Sequence, residues 1–198
     1  MVESTVTLLR HGESMASAAG LVSTAIPGQG LTGVGHGQAQ RAATGLATRG
    51  FDAIYSSPLA RARETADAFA LLTGASVTTL DGLAEVTAGD YEGEPASAVA
   101  EPFRAVLDEW VRGALDVRVP GGESGAEFLA RMDAALAQIT AVASTSLVVS
   151  HGEAIRCWAT LRVPVPNADD LQLGYTGYLT LGRNYGQWQL LESMPSGW

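Results

Sequence analysis

Thr5-Val6-Thr7-Leu8-Leu9-Arg10-His11-Gly12-Glu13-Ser14 decides how this chain is read. Its first five residues are apolar or β-branched and predict a buried strand. Arg10 and His11 then fall at the carboxyl end of that strand, where open α/β sheets bind ligands. An imidazole is a nucleophile, and a guanidinium grips phosphate through two parallel N–H bonds. The pattern returns in Ser146-Leu147-Val148-Val149-Ser150-His151-Gly152-Glu153. Two His-Gly-Glu tripeptides, each closing an apolar run, point to one active site assembled from two strand ends.

Outward from this stretch, strand and helix signals alternate. Ser14 to Gly30 is rich in Gly, Ser, Ala and Pro and reads as a loop. Thr32 reads as the N-cap of a helix reaching about Thr48. Asp52 to Ser57 is a short strand stopped by Pro58, followed by a helix from Leu59 to about Leu72. Ser76 to Leu80 is a further strand, and 81–94 is glycine-rich and irregular. The stretch 95–113 reads as helix, with Pro102 predicting a kink or two segments. A loop at 119–125 precedes an amphipathic helix over 126–142. After the strand at 146–150 comes a helix over 153–161. Two strands, 178–181 and 187–191, form a hairpin around Asn184-Tyr185-Gly186. No repeat or linker interrupts this order. The expected fold is a single α/β domain over 1–198, a three-layer α/β/α sandwich. Its central sheet is mostly parallel, with helices on both faces. A lid-like insertion is expected at about 95–125.

Composition narrows the function. The chain has 198 residues, 46% hydrophobic and 17% charged, which describes a folded globular protein. A net charge of -9 argues against nucleic acid or an anionic membrane as the main partner. All 12 basic residues are arginines, so every fixed cation is a guanidinium. The one cysteine, Cys157, lies in the apolar run Ile155-Arg156-Cys157-Trp158 and reads as buried filler. No apolar stretch nears the roughly 20 residues that span a bilayer. No basic-then-apolar leader opens the chain, so cytoplasmic residence is the expectation.

Four motifs carry phosphoryl chemistry. They are Arg10-His11-Gly12-Glu13, the Ser56-to-Ala66 stretch containing Arg61, the acidic loop from Leu83 to Gly93, and Val149-Ser150-His151-Gly152-Glu153. In this order they resemble the histidine phosphatase superfamily, in its phosphoglycerate-mutase-like branch. The helix opening at Leu31 to Ala39 and the turn Pro120-Gly121-Gly122-Glu123-Ser124 extend the resemblance. It implies that His11 is the nucleophile that becomes phosphorylated. By the same resemblance Arg10 and Arg61 hold the phosphate, and His151 stabilises the charge developing on it. Glu85 is the implied acid for the leaving group, and Gly152 belongs with the phosphate-binding residues. Ser17 stands where many relatives carry a phosphate-contacting Asn, and is expected to make a shorter or water-bridged contact. Arg63 and His36 read as surface residues, and Glu13 as either a loop charge or a pocket residue.

The chemistry is self-consistent. Phosphoryl transfer asks a protein mainly to position groups and neutralise charge. Two forked guanidiniums and an imidazolium are expected around the phosphoryl oxygens, and a carboxylic acid supplies the leaving group's proton. No metal is needed, no grouped ligand set for one is visible, and no cofactor is expected. The expected activity is hydrolysis of a small phosphorylated metabolite through a phosphohistidine. A phosphoglycerate mutase is the main alternative; it ranks second because the 95–125 stretch offers only Arg104, Arg112 and Arg118 as cations for a second anionic group. A phosphohistidine protein phosphatase and a non-catalytic phosphate-binding module rank lower. A small phosphorylated substrate is the expected partner, and a homodimer is left open.

Overall fold

The computed structural model describes residues 2–164, 171–195 and 197. Strand β1 is Ser4–Arg10, β2 Ala53–Ser56, β3 Val77–Thr79, β4 Thr145–Ser150, β5 Tyr178–Asn184 and β6 Gln187–Met194. They form one sheet in the order β3-β2-β4-β1-β5-β6. The pairings from β3 through β1 are parallel, whereas β5 runs antiparallel to both β1 and β6. The sheet is therefore mixed, with β5 the one reversed strand among these six.

Side-chain alternation along the strands sorts the helices into two layers. Leu8 and Val148 are register partners. They share a buried cluster with Trp110, Phe128, Met132, Ile155 and Trp158. Those residues come from α4 (Ala96–Val111), α5 (Gly125–Val142) and α6 (Gly152–Arg162). Leu9 and Val149, one residue on and again paired, point to the other face. There they meet Ala42, Leu46, Ala66 and Phe69. These belong to α2 (Gly33–Leu46) and α3 (Ala60–Thr73). This is the three-layer α/β/α arrangement expected from the sequence.

Three local features refine those expectations. The 14–30 stretch is not all loop, because Met15–Ala18 forms a short helix, α1, closed by a Ser14–Ser17 capping box. Pro102 does not divide the 95–113 stretch. It lies inside the single helix α4, on the exposed side, opposite buried Val99, Leu107 and Trp110. The closing hairpin turns at Tyr185 and Gly186, both with positive φ, 48° and 79°. Two such residues match the right-handed twist of paired strands.

Adjacency of β2, β4 and β1 positions the site. The residue following each strand, Ser57, His151 and His11, lies at one edge of the sheet. The ladder continues one step beyond the strands: the His11 N–H donates to the Ser150 carbonyl at 3.1 Å and the Ser57 N–H to the Val149 carbonyl at 2.9 Å.

Candidate active site

His11 and His151 meet over this edge, their ring centroids 5.0 Å apart in an edge-to-face arrangement. Both are buried. His11 Nδ1 donates to the Gly12 carbonyl at 2.6 Å. Its proton is thereby fixed on Nδ1, and Nε2 keeps a lone pair that accepts Arg61 Nε–H at 3.0 Å. Burial, then the nearby Arg61 and Arg10, hold the His11 pKa well below the ordinary 6.5. Nε2 of His11 is therefore an unprotonated nitrogen at neutral pH. His151 is kept neutral by burial first, then by Arg61 and His11. Its Nε2 lies 2.7 Å from Ser57 Oγ.

The two arginines reach the pair from opposite layers. Arg61 sits in the first turn of α3 and is buried. Thr65, one turn on, accepts the Gly12 N–H at 3.1 Å and donates to the Arg61 carbonyl at 2.8 Å, joining this helix to the His11 loop. Arg10 Nη1 donates to the Leu173 carbonyl at 2.6 Å, and its guanidinium lies 4.5 Å from the centre of the Tyr175 ring. Gly152, the first residue of α6, lets it pass: a Cβ there would lie 3.2 Å from Arg10 Nε. Three buried nitrogens of this group, Arg10 Nε, Arg61 Nη1 and His151 Nδ1, have no hydrogen-bond partner in the protein. Buried polar groups are satisfied almost without exception, so these atoms mark where an anion's oxygens belong.

Glu85 binds the start of α6, three residues past His151. Its Oε1 accepts the Val86 N–H at 2.9 Å and the Ala154 N–H at 2.8 Å, so it caps the first turn of α6. Burial and then Glu153 raise its pKa above the ordinary 4.5. A group that holds its proton longer than usual suits a general acid.

The structure also brings in Arg131, which the sequence did not single out. Arg131 of α5 donates to the carbonyls of Gly82 and Ala84, both at 2.9 Å, and of Glu85 at 3.0 Å. It forms a two-pronged pair with Glu123 at 2.7 and 2.8 Å. Glu123 in turn accepts the Thr87 N–H at 2.9 Å. The loop carrying Glu85 is thus held on both sides of it. Leu173, Tyr175 and Thr176 form the wall behind Arg10. The Thr176 N–H donates to the Arg10 carbonyl at 3.1 Å, and Thr176 has φ +56°, a strained left-handed value for a β-branched residue.

Other expected residues fall elsewhere. Ser17 is committed to the α1 cap: its Oγ donates to the Ser14 carbonyl at 2.9 Å and accepts the Ser14 N–H at 3.0 Å. Glu13 accepts the Thr32 hydroxyl at 2.7 Å and serves the start of α2. Arg63 is exposed. His36 is also exposed and lies 3.6 Å from Glu64. Cys157 is buried, its thiol pKa pushed up to about 12 by desolvation. Among the described residues, no cluster of three or more His, Cys, Asp or Glu could hold a metal ion.

Two histidines just past strand ends, with Arg10 closing β1 and Arg61 opening α3, are groups suited to phosphoryl transfer. Residues 6–194 match the family model of the histidine phosphatase superfamily, branch 1, and the chain belongs to that family. The probable phosphoglycerate mutase GpmB of Salmonella paratyphi B is 32% identical over 185 residues, covering 86% of this chain and 84% of that one. A mycobacterial glucosyl-3-phosphoglycerate phosphatase superposes with TM-score 0.81 at 24% identity, over 98% of this chain and 100% of that one. The α-ribazole phosphatase of Shigella flexneri gives TM-score 0.74 at 25% identity, over 97% and 96%. No described helix is long and apolar enough to cross a membrane.

Proposed function

We propose that this chain is a metal-independent phosphomonoester hydrolase that works through a phosphohistidine on His11. The observation that carries the proposal is the fixed tautomer of His11. Its Nδ1 is bound to Gly12, and the Nε2 lone pair faces the group of partnerless arginine and histidine nitrogens. A bound phosphate draws the Arg61 N–H bonds to its own oxygens and frees Nε2. That nitrogen attacks phosphorus as the P–O ester bond breaks. The departing alkoxide takes the Glu85 proton. Glu85, now a carboxylate, takes a proton from water; the resulting hydroxide attacks phosphorus and breaks the P–N bond. Inorganic phosphate leaves, and both His11 and Glu85 return to their starting states. Arg10, Arg61 and His151 hold the phosphoryl oxygens through both steps.

The mutase reading draws support from the likeness to the Salmonella protein. It needs a second set of cations to retain a doubly anionic intermediate. Of the arginines at 104, 112 and 118, Arg112 is paired with Glu109 and Arg118 with Glu127, which favours hydrolysis. The deciding assay follows phosphate release from a panel of monoesters without added metal, beside interconversion of 2- and 3-phosphoglycerate. Release without interconversion is expected, and His11→Ala should abolish it. Interconversion without release would overturn the hydrolase reading. Near-normal release by His11→Ala would overturn the nucleophile.

A further inference from the structure

From the cavity beyond Arg10 we infer that the leaving group is a neutral, hydroxyl-rich moiety: the substrate is a sugar or polyol monophosphate with no second negative charge. The inference rests on the hydrolase reading of the site. A cavity of about 500 Å³ opens past Arg10 and Gly152 and is lined by Arg104, Asp108, Glu153, Arg156 and Gln172. Helix α6 ties it to the acid. Glu85, the acid that must face the departing oxygen, is bonded to the Ala154 N–H, and the adjacent residue Glu153 lines the cavity.

Charge selects the class. Arg10 is taken by the reacting phosphate. The remaining charges balance, with Arg104 and Arg156 set against Asp108 and Glu153. Arg156 is moreover paired, its Nε 2.7 Å from Glu153 and its Nη1 3.9 Å from Asp108. A carboxylate or second phosphate entering here gains no net countercharge and meets two carboxylates. Neutral hydroxyls gain from the same wall, because each donates to a carboxylate and accepts from a guanidinium. Arg156 Nη2 is buried without an acceptor and offers one such donor. Among the described residues Leu173 is the one apolar side chain in the lining, so an aromatic base would find little surface there to stack on.

The test separates this inference from the activity beneath it. Binding to His11→Ala, measured by calorimetry, ranks glucose 6-phosphate and sorbitol 6-phosphate against 3-phosphoglycerate, a nucleoside monophosphate and inorganic phosphate. The polyol esters should bind about ten- to a hundred-fold more tightly than 3-phosphoglycerate, the range expected of one or two bonds to charged groups. Asp108→Arg, which adds net positive charge to the wall, should narrow or reverse that ratio. Glu153→Gln should narrow it as well. Equal or tighter binding of 3-phosphoglycerate or the nucleotide, or a ratio that neither variant moves, overturns the inference. Hydrolysis of an aryl phosphate by the unaltered chain reports separately on the reaction. Its failure would sink the hydrolase reading while the binding ranking still judges the cavity.

Discussion

Glu85 is the residue whose ionisation the geometry sets most sharply. Its carboxyl is raised above 4.5 by burial and by Glu153, against two N–H bonds that favour the anion. If it donates the proton, its value depends on how badly the leaving group needs one. Glu85→Gln should reduce kcat on an alkyl phosphate about 10²- to 10⁴-fold, the usual share of general acid catalysis. The burst of phenol from an aryl phosphate with an acidic leaving group, which reports transfer to His11 before the water step, should slow by less than about tenfold. The pH dependence has a definite sign. The unaltered chain loses its acid as pH rises through the raised Glu85 value, whereas the Gln variant has none to lose. The ratio of variant to unaltered rate should therefore climb with pH, and the substrate's own ionisation cancels in that ratio. A ratio flat from pH 5 to 8, or equal losses on both substrates, would assign the proton to another group. Histidines and arginines that immediately follow or open a regular element were legible in the sequence, because strand ends and helix starts fix where such residues point. Ser57 was not: it reads as the last residue of a strand stopped by Pro58, and only the pairing of β2 beside β4 sets its hydroxyl against His151.

At the scale of elements, α5 holds the acidic loop through Arg131. One guanidinium satisfies three loop carbonyls and both oxygens of Glu123, which itself binds Thr87. No hydrogen bond joins the pair to the phosphate-holding residues, and the Arg131 charge helps to keep His151 neutral; its effect on the leaving-group proton passes through the position of Glu85. Arg131→Met should lower kcat on an alkyl phosphate about tenfold or more and spare the burst of phenol from an aryl phosphate, copying Glu85→Gln in kind. Added to Glu85→Gln it should cost little further rate, because the two act as one unit. A stability loss of about 3 kcal/mol in urea unfolding is expected as well, since Glu123 is left half-buried and unpaired. If both substrates slow equally, the clamp is a fold element alone. The sequence could not show this pairing. Arg131 sits mid-helix, some 46 to 49 residues from the carbonyls it binds, and reads there as an ordinary surface cation. The same limit hid α1: four residues carry no periodicity, and only the reciprocal Ser14 and Ser17 bonds make them helical. Pro102 misled in the other direction, because on the exposed side of a helix anchored by Leu107 and Trp110 its missing N–H does not break the run.

Over the whole molecule, charge is distributed so that the site is positive within a negative chain. Arg49, Arg112, Arg118, Arg131, Arg156 and Arg162 all carry carboxylate partners. Among the described residues Arg10, Arg61, Arg63, Arg104 and Arg183 have no such bridge, and of these Arg10 and Arg61 stand beside the two histidines. Repulsion of an anionic substrate by the net charge of -9 is screened beyond about 8 Å, so the local cations prevail at the site. This arrangement has a consequence for stability. His11 and His151 titrate well below 6.5 when folded, whereas the unfolded chain titrates them near that value. As pH falls below 6.5 the unfolded chain binds protons that the folded one refuses, and stability drops. Each histidine contributes up to about 1.4 kcal/mol per pH unit. Glu85 acts in the opposite sense: its folded value is raised, so its contribution is largest at low pH and is lost as pH rises from about 4.5 through that value. Urea unfolding between pH 5 and 7.5 should therefore show a positive slope of stability with pH. In His11→Asn and in His151→Asn that slope should flatten by about one proton each, whatever the absolute stability of the variant. Unchanged slopes would mean that the imidazoles are protonated in the folded chain below pH 6.5 as freely as in water. A nucleophile held neutral by Arg10, Arg61 and burial would then have no basis.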